Sequence, residues 1–117
     1  MLRKVMFCMI VLGLVSCGGQ VPIEKSVQAD QSAYNCAVAL REAAFAWKKD
    51  NADSEFYPSA PDLLDEVNMT KYKITPCKDG ALTITGSARQ VFNYMVSNDF
   101  GKKVYTATPE GVTSDSI

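Results

Sequence analysis

The sequence predicts an α+β domain in which one long N-terminal helix packs on a small antiparallel sheet of three to four strands. Two patterns predict it. Ala33, Ala37, Leu40, Ala44 and Trp47 recur at the spacing of one helix face, and beyond residue 70 short alternating runs are punctuated by turn residues. The helix is expected over residues 31–50. Asp30 or Ser32 can cap its start, Lys48 and Lys49 occupy its last turn, and Asn51 can end it. Cys36 and Ala43 flank the stripe, which is built mostly of small side chains, so whatever covers it can approach closely. Tyr34, Val38 and Phe45 form a second apolar ridge about a third of a turn away, interrupted by Arg41, while Asn35, Glu42 and Lys49 mark the solvated side. Two readings of the ridge stand side by side: ordinary core beneath a loop or wide sheet, or a surface for a partner protein.

Residues 51–70 read as a loop with one helical turn, because Ser59 can cap, Pro61 suits a first turn, and Asp62-Leu63-Leu64 supplies an acid and apolar anchors. Strand signals follow at Tyr72 and Ile74, at Leu82 and Ile84, over Val91–Val96 and over Val104–Ala107. Asp79-Gly80, Gly86-Ser87 and Asn98-Asp99 with Gly101 separate them as turns. The polar residues 109–117 read as a loose tail.

Ahead of the domain lies a leader. Arg3 and Lys4 precede an apolar run from Val5 to Leu14, and Leu14-Val15-Ser16-Cys17 closes it. The run is too short for the roughly 20 apolar residues of a membrane-spanning helix. An ordinary cleaved secretory signal is the other alternative. The leader resembles the signal peptide of bacterial lipoproteins. That resemblance implies cleavage of residues 1–16, a diacylglycerol on the thiol of Cys17, and a lipid-held chain in the bacterial cell envelope. Two or three acyl chains at roughly 0.8 kcal/mol per buried methylene make such an anchor effectively permanent. Gly18 rather than Asp follows the cysteine, which by the same resemblance favours the outer over the inner membrane. Residues 17–30 then read as a flexible tether.

Cleavage removes Arg3 and Lys4 from twelve basic residues and none of the thirteen acidic ones, leaving 101 residues with a formal net charge of −3. That length suits one domain. Nothing in it is built for nucleic acid. With Cys8 inside the leader and Cys17 lipidated, Cys36 and Cys77 remain, an even pair in a compartment that permits disulfides. The alternatives are two unpaired buried thiols, or redox or metal chemistry. The pair lacks C-x-x-C spacing, and a closed zinc site wants four ligands.

The domain resembles the globular part of type IV pilins and type II secretion pseudopilins. The likeness spans residues 31–107 and rests on Asn35, the run Ala39–Trp47, Asn51, Tyr57-Pro58 and Asp62-Leu63-Leu64. Pro76-Cys77-Lys78-Asp79-Gly80 is similar to the Cys-Pro-x-Gly-Gly turn of some such domains, with the proline ahead of the cysteine and one glycine. The resemblance implies a pilin-like α+β fold and a role in pilus, secretion or adhesion systems. Pilins begin with a prepilin-peptidase leader and a long hydrophobic helix that bundles into the filament core; here a lipid-modified cysteine and a polar tether take that place. Filament entry by the usual route is therefore not expected.

An enzyme is not expected. The chain has no histidine, the commonest general base and metal ligand. Asp62, Asp65 and Glu66 read as helix-capping acids, and Asp50, Asp53 and Glu55 as a solvated loop without the calcium-loop pattern. Ser87 and Lys71 form a catalytic pair only if the fold unites them. Asn68-Met69-Thr70 fits a glycan acceptor and carries little weight behind a bacterial leader. No metal or cofactor is expected. The sequence thus points to a lipid-anchored, non-catalytic envelope protein acting through protein contacts. The alternative is a small lipoprotein that binds a ligand or inhibits an envelope enzyme through its sheet or the 53–70 loop.

Overall fold

The computed structural model describes residues 23–117; the leader, Cys17 and the first part of the expected tether lie outside them. Helix α1 (Ile23–Asp50) leads into α2 (Ala60–Leu63), α3 (Glu66–Lys71) and a 3₁₀ turn (Thr75–Lys78). Strands β1 (Leu82–Ala88), β2 (Phe92–Asn98), β3 (Lys103–Thr108) and β4 (Gly111–Ser116) then form an antiparallel meander in the order β1-β2-β3-β4. The α+β architecture is that of the sequence reading, one long helix across one face of a four-stranded sheet.

The core explains the composition of the helix. Ala29, Ala33, Cys36, Ala37, Leu40, Ala43 and Ala44 are buried along α1, and the sheet meets them with the buried residues Phe92, Tyr94, Val96 and Ala107. Small side chains on the helix leave room for large ones on the strands, a complementary packing that holds the two layers close. On β2, Phe92, Tyr94, Val96 and Asn98 are buried and the residues between them are exposed or half-buried, so Asn93 and Met95 face away from the helix. Gly86 sits opposite Tyr94 in the β1–β2 register. A Cβ there would lie 2.6 Å from the Asn93 carbonyl oxygen and 2.8 Å from the Tyr94 ring, so only glycine lets the ring lie across β1.

Four expectations are corrected, the turn at Gly86-Ser87 among them, since both residues lie inside β1 and pair with Tyr94 and Asn93. The other three concern longer segments. First, α1 begins at Ile23 rather than residue 31, so residues 23–30 are helix and not tether. Ser26 and Ala29 are buried there, and the Asp30 carboxylate, expected as a cap, instead accepts the backbone N–H groups of Lys102 (2.9 Å) and Lys103 (3.1 Å). Ser32 likewise bonds Asp79. Docking on the β2–β3 turn extends the helix beyond what its local sequence signals. Second, Tyr72–Ile74 is no strand. Asp65 caps α3 by accepting from Val67 N–H at 2.7 Å, and Lys73 takes a left-handed conformation, φ 58°. The Ile74 N–H then reaches back to the Met69 carbonyl at 2.9 Å, closing the helix in a Schellman-type turn that drops Ile74 into the core. Third, residues 111–116 are not a loose tail but β4, paired along β3 from Lys103↔Ser116 to Thr108↔Gly111. The expected turn at 59–64 is present, with Ser59 capping α2 and accepting from Asp62 N–H.

Candidate interaction surface on the long helix

The ridge Tyr34, Val38 and Phe45 falls on the flank of α1 nearest β3 and β4. On β4, Val112 packs partly buried against the core, and residues 113–116 face solvent. Tyr34 is 41% exposed and Phe45 37%, with Val38 half-buried. Each ring nevertheless has partners. Tyr34 meets Tyr105 edge-to-face with centroids 5.5 Å apart. Phe45 meets Phe92 at 5.4 Å and Tyr57 at 6.3 Å, again edge-to-face. The ridge is therefore anchored by one side of each ring and open on the other, midway between the two readings drawn from the sequence.

Arg41, which interrupts the ridge in sequence, holds it to the sheet in space. Its Nε and Nη2 donate to the carbonyls of Thr108 and Pro109, both at 2.8 Å, and its guanidinium lies 5.0 Å from the Phe45 ring centroid. The fork pins the β3–β4 hairpin to the helix. Sequence reasoning missed this role and missed Tyr105 as a neighbour of the ridge; the break in the apolar pattern was the available signal. Burial, with the nearby Asp30 and Tyr34, raises the Tyr105 phenol above its ordinary pKa. Below Phe45, the Phe92 ring stacks on Tyr94 at 4.9 Å, and the Tyr94 hydroxyl donates to the Pro58 carbonyl. Burial pushes that phenol far above its ordinary range.

Cys36 and Cys77 form a disulfide, buried between α1 and the 3₁₀ turn, with Cα atoms 4.7 Å apart. The remaining candidates are placed apart. Among the carboxylates, Asp65 caps α3, and Asp50 accepts the Tyr72 hydroxyl at 2.7 Å and pairs with Lys71 at 3.5 Å. The Tyr72 hydrogen bond is the main cause that lowers the Asp50 pKa. This exposed trio ties the end of α3 to the end of α1. Ser87 lies on β1 and Lys71 on α3. Asn68 donates its amide to the Asp62 carbonyl. Among the described residues no group of three or more metal-ligating side chains is assembled, and no helix is long and apolar enough to cross a membrane.

Comparison with known proteins adds no relative: the sequence matches no family model, no curated protein and no solved structure.

Proposed function

We propose that this chain is a non-catalytic bacterial envelope protein, held to the membrane by lipid on Cys17 and acting through protein contacts made by the Tyr34–Val38–Phe45 ridge. The address is carried by the leader ending in Leu14-Val15-Ser16-Cys17. The mode of action is carried by one observation: two aromatic rings on a rigid helix, anchored from beneath and open above. Rings whose rotamers are already fixed by neighbours lose little entropy on binding, and aromatic residues dominate the energetics of protein interfaces. A role as an accessory of a pilus, secretion or adhesion system is the specific form of this reading, supported by the helix-on-meander arrangement and by the pilin-like residues of the sequence. A second reading, ligand binding or enzyme inhibition at the 53–70 loop, is favoured by the shallow cleft of about 310 Å³ that Tyr57, Ser59 and Asp62 form with Ala88 and Arg89.

Photo-crosslinking in cells separates the two. A crosslinking side chain introduced at Tyr34 or Phe45 is expected to capture one discrete envelope protein, while the same group at Glu42, on the solvated face, captures none. Capture from the Tyr57–Asp62 loop with none from the ridge would transfer the function to the second reading.

A further inference from the structure

We infer that the end of the domain formed by the start of α1 and the β2–β3 turn rests on the phospholipid surface, with Phe100 and Val27 seated at headgroup level. This rests on the lipid-anchored reading above. Ile23 is the sixth residue after Cys17, and six residues reach at most about 20 Å in any conformation. The 28-residue helix is about 42 Å long, so a lipid on Cys17 keeps the Ile23 end near the bilayer while leaving the Asp50 end free to stand far from it.

That near end carries the side chains an interface accepts. Phe100, at the tip of the β2–β3 turn, is 45% exposed, and Val27, on the first turns of α1, is 60% exposed. Lys25 places its ammonium 4.3 Å from the Phe100 ring centroid, an arrangement in which the ring can enter the headgroup layer while the amine stays wet. The turn itself is held firmly, because Asp30 accepts two of its N–H groups, so Phe100 is presented on a fixed support. Charge does not drive the contact. Lys25, Lys102 and Lys103 are offset by Glu24, Asp99 and Asp115 in the same region. The occupant is therefore the apolar–polar boundary of a phospholipid bilayer rather than anionic lipid in particular.

The test uses the full lipidated chain reconstituted into phosphatidylcholine vesicles with brominated acyl chains. Trp47, twenty residues along α1 from Val27, is the native distal reporter. In the double variant Trp47→Phe/Phe100→Trp, emission from position 100 is expected to be roughly halved relative to unbrominated vesicles and shifted to the blue, at low and at high salt. The native Trp47 signal is expected to be unchanged. Trp47→Phe/Val27→Trp serves as a second reporter if the substitution at 100 unfolds the domain, as judged by its thermal melt. Equal, negligible quenching at the near and distal positions in vesicles that float with bound protein overturns this inference alone. Quenching that disappears at high salt also overturns it, replacing seating by charge attraction. Failure of the protein to float retires the anchor and this orientation together.

Discussion

Asp30 shows how a single side chain ties the first turns of the helix to the sheet. Its carboxylate binds two N–H groups of the β2–β3 turn, and the turn comes close enough that a Cβ at Gly101 would lie 2.2 Å from Asp30 Oδ1. Gly101→Ala must therefore either displace the turn or turn the carboxylate away from both donors. Charge-assisted hydrogen bonds are worth about 1.5–3 kcal/mol each, so the substitution is expected to cost about 2 kcal/mol in denaturant unfolding. In the Asp30→Ala background it should cost much less, because the atom it strikes is gone; additive losses in the double-mutant cycle would contradict the geometry. Tyr94 gives a prediction in pH. Burial holds its phenol protonated in the folded state well above the unfolded value of 10. Its contribution is complete below that pH and is lost as the pH rises beyond it. Thermal melts should therefore fall more steeply above pH 10 for the native protein than for Tyr94→Phe, and parallel curves would contradict the assignment.

At the scale of elements, the disulfide is the staple that joins α1 to the 3₁₀ turn across 41 residues of sequence. Closing a loop of that length contributes about 4 kcal/mol in the chain-entropy account. The Cys36→Ala/Cys77→Ala protein should lose stability on that order in denaturant unfolding, with the α1–sheet contacts intact, and an unchanged midpoint would show that the bridge contributes nothing. The helix, the sheet and the Ser59 turn were legible because each carries its own pattern: small apolar residues at helical spacing, alternating strands, a cap followed by proline. The misread segments lacked a local signal. Residues 23–30 are helical through Asp30 and the burial of Ser26 and Ala29, which only the folded turn supplies. β4 buries little, since Thr113, Ser114, Asp115 and Ser116 all face solvent, so its strand character comes from pairing with β3. Tyr72–Ile74 alternates like a strand, yet Lys73 in the left-handed region turns it into the end of a helix. At the candidate surface the ridge was readable as apolar positions, whereas its half-open state depends on which rings the fold brings against it, Tyr105, Phe92 and Tyr57, which periodicity does not encode.

At the scale of the whole molecule, the two ends of α1 differ. The Ile23 end follows the cysteine that would carry lipid, and the flank leading to the Asp50 end carries Phe45 above Phe92 and Tyr57. An anchor at one end and an open ring, Phe45, toward the other suit a protein that presents a fixed surface at a set height above a membrane. Lipid attachment at Cys17 underlies this placement, and intact-mass and N-terminal analysis of the protein purified from membranes decides it. The expected chain begins at Cys17 and carries the added mass of a diacylglycerol, with or without a further acyl chain on the new amino group. A native protein that retains residues 1–16, or that begins elsewhere with an unmodified Cys17, would contradict it.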